Sequence, residues 1–427
     1  MPRTRLTKRK RLVFSIMLLL IVVGVCELIS YAAIEVLQVT LPFDYLRQQQ
    51  QSIASGSFIS AGAAEAFHPF VGWVHNPQVA LPEKHGGREI PVNHLGFRDD
   101  SESLYRRAPD CFIVGIAGGS VAWNFSWEAD LLLRERLERH PGLAGRKIQF
   151  VRMAMPGYKQ PQQLMVYNYL LSLGAEFDLI INIDGFNETA LTVRENFAMH
   201  TALVYPRSWH ARTVTMTDPR VSADASRLLY LRGKRQQMAK SMIASWFRWS
   251  PTVNLIWHWR DQRALSELTD LGFAVSQTQS GSFLNHGPVD HFESDTQMHD
   301  EVAAIWKRSS LQMHRLCHAN GTRYLHVLQP NQYFPDSKPL SEHEKKFCYG
   351  LLEGSSAVIE ALYPILLREG RTLTAAGVAF SNQTMVFADV EETLYTDAWC
   401  HFNSEGNRLL GIAIAEEVIT LLGSVEN

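Results

Sequence analysis

Four short segments carry residues whose types and spacing suit acyl-transfer chemistry. Gly118-Gly119-Ser120-Val121 puts a serine on a tight glycine turn at a helix start, where the hydroxyl is exposed and backbone N–H groups point outward. Asp397-Ala398-Trp399-Cys400-His401 sets a carboxylate and an imidazole four residues apart, able to face each other across one turn or loop. In that arrangement the carboxylate orients the imidazole and stabilises its charged form, and the imidazole takes the serine proton. Met155-Pro156-Gly157-Tyr158, followed by Gln160 and Gln162, offers a glycine whose backbone can approach a ligand closely. Asp184-Gly185-Phe186-Asn187-Glu188 offers an asparagine amide able to donate to an oxyanion. Each segment also has an ordinary reading: a Gly-rich N-cap, a turn, an Asx turn, a surface Asp near an unrelated His. Their joint occurrence in this order is what points to chemistry.

The elements that must hold these segments follow from hydropathy. A continuous apolar run over 111–117 and apolar-rich stretches over 148–153, 178–183, 324–328 and 384–388 predict strands. Helical spacing over 121–138, 160–173, 300–319, 342–368 and 404–423 fills the intervals. Fully apolar strands alternating with helices imply an α/β fold, a doubly wound parallel sheet of flavodoxin-like order covered on both faces. Ligands of such sheets bind beyond the carboxyl ends of the strands, where the four segments fall. Residues 66–104 alternate short apolar runs with Pro, Gly and Asn and predict a small cap ahead of the main domain, 105–427. Residues 188–300 interrupt the alternation with Trp209, Trp246, Trp249, Trp257 and Trp259. This insertion is expected to be helical and to pack its aromatics internally, or else to form a lid or substrate wall.

The 427 residues are 46% hydrophobic and 10% aromatic, which excludes a disordered chain, and a mean hydropathy of −0.11 excludes a multi-span membrane protein. The net charge of −2 gives no basic field for nucleic acid, so no nucleic-acid partner is expected. That charge is unevenly placed. Arg3, Arg5, Lys8, Arg9, Lys10 and Arg11 form a basic tip over 1–11, leaving 35 Lys and Arg against 43 Asp and Glu in the rest. The tip precedes an apolar segment, 12–34, whose 23 residues span roughly 34 Å as a helix, enough for a transmembrane anchor. The basic flank places the N-terminus in the cytoplasm and the body in the periplasm or outside the cell. A cleaved signal peptide, with Ser30-Tyr31-Ala32 as a cleavage site, is the competing reading and also exports the body. Polar residues over 35–65 read as a linker. The cysteines Cys26, Cys111, Cys317, Cys348 and Cys400 include no CxxC pair, and the four in the body allow three disulfide pairings or none.

With these segments assembled, the chain resembles the SGNH (GDSL-like) hydrolase superfamily over roughly 105–425, the insertion set aside. By that resemblance Ser120 matches the nucleophile, Gly157 the glycine of the second block, Asn187 the asparagine of the third, and Asp397 and His401 the terminal D-x-x-H. The resemblance implies an oxyanion hole from the Ser120 and Gly157 backbone N–H groups and the Asn187 side chain. One departure stands out: the family has Asp before the serine, and this chain has Gly119. The chain looks more like the Gly-Gly-Ser members, which carry an N-terminal membrane anchor and a preceding G-F-R segment, here His94-Leu95-Gly96-Phe97-Arg98.

The expectation is therefore a membrane-tethered serine esterase that needs no cofactor or metal and acts on O-acyl esters, such as O-acetyl groups of an exported or surface polysaccharide. The same triad would serve an O-acetyltransferase, and the reading of another class is an inactive binding or scaffold module of envelope polysaccharide assembly. His286, His291 and His299 lack the spacing of a metal box and read as solvated loop. Sequons at Asn124, Asn187, Asn320 and Asn382 include the oxyanion candidate, which favours a bacterial exported protein in which they are chance matches. Cys400 reads as packing, not as a second nucleophile.

Overall fold

Two short antiparallel pairs precede the main sheet: β1 (Glu65–His68) with β2 (Gly72–His75), and β3 (Lys84–His85) with β4 (Arg88–Glu89). The main sheet is built from β5 (Cys111–Gly118), β6 (Lys147–Arg152), β7 (Leu179–Asp184), β8 (Arg323–Leu328) and β9 (Ala379–Asn382). All five are parallel, in the order β6-β5-β7-β8-β9. Counted within the sheet this is 2-1-3-4-5, the doubly wound, flavodoxin-like order expected. The computed structural model describes residues 7–37, 43–55, 65–78, 84–85, 88–99, 104–217, 219–277, 283–349 and 355–423.

Strand alternation divides the core in two. Ile113, Ala117, Val151, Met153 and Ile180 join one buried cluster, with Trp306 and Met313 of the helix Asp295–Ala319 and Tyr363 and Leu366 of Ser355–Ala375. Phe112, Val114, Ile116, Phe150, Leu179, Ile181 and Val327 join the other, with Phe125, Leu133 and Leu410 from helices Ser120–Glu128, Asp130–Glu138 and Ser404–Leu422. Each fully buried side chain of this kind contributes about 1.5–3 kcal/mol. The hairpin β1–β2 and the His94–Arg98 segment belong to the first cluster through Val71, Trp73, Val74 and Phe97.

Some elements differ from expectation. The fifth strand lies at Ala379–Asn382, not over 384–388. The apolar stretch 384–388 is instead a series of turns, with Val386 N donating to Gln383 O and Ala388 N to Met385 O, and it buries Phe387 without joining the sheet. The helix expected over 121–138 breaks at Ala129, and Asp130 opens the second piece with its carboxylate on Arg134 and Arg152. The helix expected over 342–368 is described as Glu342–Phe347 and Ser355–Ala375, with 350–354 outside the described residues.

The chain divides into two compact units, Met1–Ser60 with Val214–Thr278, and Ala61–Thr213 with Gln279–Asn427. The stretch read as one insertion, 188–300, is thus shared: 188–213 and 279–300 belong with the sheet and 214–278 with the N-terminal residues. The first unit is helical, comprising Lys8–Leu37, Phe43–Ser55, Pro219–Ala244 and Pro251–Gln277. Phe43–Ser55 lies inside the stretch read as linker. It is helical because Leu46, Gln50 and Ile53 form one buried stripe, with Gln50 Nε2 donating to Asn254 Oδ1 at 2.9 Å. Lys8–Ile34 is the one helix among the described residues long and apolar enough to cross a membrane.

Candidate active site

Ser120 is the first residue of a helix that starts directly after β5, so its N–H has no carbonyl one turn earlier to bond. The loop before the closing helix brings up the other two residues of the expected triad. His401 Nε2 lies 2.7 Å from Ser120 Oγ, and His401 Nδ1 lies 2.6 Å from Asp397 Oδ2. With Nδ1–H donating to the carboxylate, Nε2 is the acceptor for the serine hydroxyl. Trp399 N donates to the second oxygen of Asp397 at 2.8 Å. Burial pushes the Asp397 carboxyl upward, but the hydrogen bond and charge of His401 and the two backbone N–H groups outweigh it, so the group is held below the usual aspartate range.

The loop's shape depends on residues the sequence reading did not assign. Cys400 takes a left-handed φ of 65°, uncommon for a residue with a side chain, and turns the chain so that His401 N returns to the Asp397 carboxylate. The Cys400 thiol is fully buried and pushed up by that burial, in keeping with a packing role. Gln332 Nε2 donates to Asp397 O at 2.9 Å and Tyr333 Oη to Ala398 O at 2.9 Å. Glu344, buried with Lys338 at 3.0 Å, accepts from Leu394 N and Tyr395 N at 2.8 and 2.9 Å. Asn403 caps the following helix, accepting from Gly406 N. Gln332, Tyr333 and Glu344 lie far from the motifs in sequence, and no local signal marks them.

The second and third segments meet beside Ser120. Met155 N donates to Gly118 O at 3.2 Å, which ties the Gly157 turn to the end of β5. Gly157 has a φ of +86°, and an added Cβ would lie 2.5 Å from Arg207 Cδ, so both backbone and space require glycine. Asn187 Nδ2 donates to Tyr158 O at 2.8 Å, which uses one amide hydrogen and leaves the other for a ligand. A Cβ at 119 would come within 2.2 Å of Asn187 Nδ2, so the position before Ser120 suits glycine. The Asn187 amide occupies the space that a side chain before the serine would fill.

A buried polar network underlies these turns. Asp184 accepts from Trp306 Nε1, His326 Nε2 and Asn182 Nδ2 at 2.7–2.8 Å, and from Gln160 Nε2 at 3.2 Å. Glu188 accepts from Gln160 N, Gln163 Nε2 and Gly185 N, joining the second turn to the third. Burial first, then the Asp184 charge, pushes Glu188 above the usual carboxylate range. Both acids stood in the motif that drew attention to Asn187, without a role assigned to them.

Arg207 lies against Gly157, its guanidinium held on Glu195 at 2.5 and 3.0 Å and its Cζ 6.0 Å from the Trp399 ring. Trp399 is 38% exposed and meets Phe186 edge to face. The histidine group does not behave as one solvated loop. His286 is buried, with its Nδ1 3.0 Å from His200 O; His291 is exposed, and His299 is half-buried on the helix Asp295–Ala319. All five cysteines are unpaired.

No family model and no curated protein matches the chain. Among solved structures it is similar to a GDSL-like lipase from Bacteroides thetaiotaomicron, at 11% identity over 75% of this chain and 93% of that one, with a TM-score of 0.33. The functional reading therefore rests on the geometry of Ser120, His401 and Asp397 and the turns around them.

Proposed function

We propose that the protein is a serine hydrolase of ester bonds, with Ser120 as nucleophile, His401 as general base and then acid, and Asp397 as orienting carboxylate. The observation that carries this is the unbroken chain Ser120 Oγ to His401 Nε2 at 2.7 Å and His401 Nδ1 to Asp397 Oδ2 at 2.6 Å, at the carboxyl end of a parallel sheet. Ser120 Oγ attacks the acyl carbon as its proton passes to His401 Nε2. The Ser120 and Gly157 N–H groups and the Asn187 amide receive the oxyanion. The ester C–O bond breaks, and the leaving alkoxide takes the proton from His401. Water then attacks the acyl-serine, giving its proton to His401, and the carboxylic acid departs as the serine is restored.

The substrate proposed is an O-acyl, chiefly O-acetyl, ester on an exported or surface polysaccharide. Trp399 supports this with an aromatic face beside the triad on which a sugar ring can stack, and Arg207 supports it with a cation near Gly157. The apolar helix Lys8–Ile34 and its basic start support a single-pass anchor, with the N-terminus cytoplasmic and the body outside.

The test is hydrolysis of p-nitrophenyl acetate and labelling by a fluorophosphonate probe. Wild type should do both, and Ser120→Ala should do neither. A folded wild type that is not labelled refutes the hydrolase and leaves a binding module. Acyl transfer to an added glycan in preference to water would make the same triad a transferase.

A further inference from the structure

The tryptophans of the insertion 188–300 were expected to pack internally or to form a lid or substrate wall; Trp259 is 58% exposed, whereas Trp257 packs inward, at 6% exposed. Trp246, Phe247 and Trp249 do not. They sit on the 3₁₀ turn Trp246–Trp249 and are 89%, 62% and 61% exposed. Three large aromatic side chains in one exposed turn form an apolar patch that calls for an occupant.

The position of this turn along the apolar helix identifies the occupant. Every residue over 12–26 is exposed. Beyond them, Leu28, Ile29 and Tyr31 stay exposed, while Glu27, Ser30 and Ile34 face the helix Pro251–Gln277. The spacing of three and four residues puts those three on one side. Glu27 is the one acid within the apolar segment, costly inside a bilayer unless its oxygens are satisfied. Its carboxylate accepts from Ser250 Oγ at 2.6 Å and Thr252 N at 3.2 Å, and Ser30 Oγ lies 3.0 Å from Thr252 Oγ1. Ser250 directly follows the aromatic turn. Its N donates to Phe247 O at 2.9 Å, and Asn254 Nδ2 donates to Arg248 O at 2.9 Å. The bonds that satisfy Glu27 therefore hold the aromatic turn at the level of Glu27.

Glu27 lies seven residues before Ile34, about 10 Å along the helix axis from the outer end of the segment. Aromatic side chains of surface-bound segments reach about 5–10 Å into the headgroup–acyl boundary. We propose that Trp246–Trp249 is a second membrane contact. Trp246, Phe247 and Trp249 insert at that boundary in the leaflet where the helix emerges, and Arg248, 5.0 Å from the Trp249 ring, reaches toward the phosphates. This rests on the anchor reading of Lys8–Ile34, and it adds a rigid two-point attachment to what would otherwise be a single helix.

The test uses the full chain in phosphatidylcholine–phosphatidylglycerol vesicles, with and without brominated acyl chains, which quench nearby tryptophan fluorescence. Wild type is compared with the double variant W246F/W249F, whose rings stay apolar. Quenching should fall by about half or more in the variant, because the indoles closest to lipid have gone. Equal quenching in both forms, with the chain retained through alkaline carbonate, overturns the second contact and leaves the anchor standing. A retained wild type that is not quenched also overturns it, and points to a protein covering the turn. Release by carbonate overturns the anchor, and the second contact with it. Wild type alone decides these last two outcomes should the variant fail to fold.

Discussion

Gly119 and Asn187 compete for the same space, and the chain resolves the competition in favour of the asparagine. A Cβ at 119 would lie 2.2 Å from Asn187 Nδ2, so Gly119→Asp should displace the amide. Turnover is expected to fall about 10²–10³-fold, the effect of losing one oxyanion donor, with KM changed little. A variant as active as wild type would remove Asn187 from the hole. Asp397 supports a second test. Its pKa in the fold lies below its unfolded value, so its favourable ionised state is present above the unfolded value and is lost only as pH falls through the lower, folded one. It stays ionised throughout the range where an imidazole titrates. The acid limb of kcat/KM against pH should therefore carry no proton from Asp397, and a two-proton limb would contradict the assignment. Asp397→Asn should lower kcat by about 10⁴-fold while the protein stays folded, since the imidazole loses its orienting acceptor.

The loop over 394–403 that presents His401 is short, and Glu344 on a neighbouring helix holds its start. Burial pushes the Glu344 carboxyl up, but the N–H groups of Ser341, Tyr395 and Leu394 and the ammonium of Lys338 outweigh it and hold it below the usual range. Glu344→Ala leaves a fully buried lysine and three backbone donors, Ser341, Leu394 and Tyr395, without this acceptor. It should cost about 3–5 kcal/mol of stability, read as a lower urea midpoint, and should slow turnover in the surviving fold because the Asp397–His401 loop loosens. An unchanged midpoint would mean that Lys338 finds another partner. At this scale the sequence was informative where apolar residues recur along a strand, as in β5, β6, β7 and β8. It misled at 384–388, where the same apolar signal belongs to a buried turn. A run of that length has no period to separate a strand from a packed loop.

The whole chain combines a sheet-based unit bearing the triad with a helical unit built on the apolar segment. Residues 214–278 join the N-terminal residues although residues 61–213 separate them, which hydropathy alone does not reveal. The anchor carries its own prediction: full-length protein should remain in the membrane fraction after alkaline carbonate, and a shortened soluble chain would mean cleavage near Ala32. The net charge of −2 divides into a basic tip before the apolar segment and a mildly acidic remainder of the chain. An anionic glycan would have to be met by local basic or aromatic surface, since the body's overall charge does not attract it.

Ser120, Gly157, Asn187, Asp397 and His401 could be proposed from the sequence because each lies in a local signature: a glycine turn after an apolar strand, or a carboxylate and an imidazole on one short loop. Strand alternation and helix spacing are likewise local properties, set by backbone dihedrals and the side-chain period. The apolar segment at the N-terminus was legible from composition alone. What only the tertiary structure decided are contacts between residues far apart in sequence. Gln332 and Glu344 brace the His401 loop, the Asn187 amide fills the space before Ser120, and Glu27 ties the Trp246–Trp249 turn to the apolar helix. Such contacts depend on strand order, on helix packing and on which side of each helix is buried. A side chain's type states what it can bond to, and only the packed fold determines what comes within its reach.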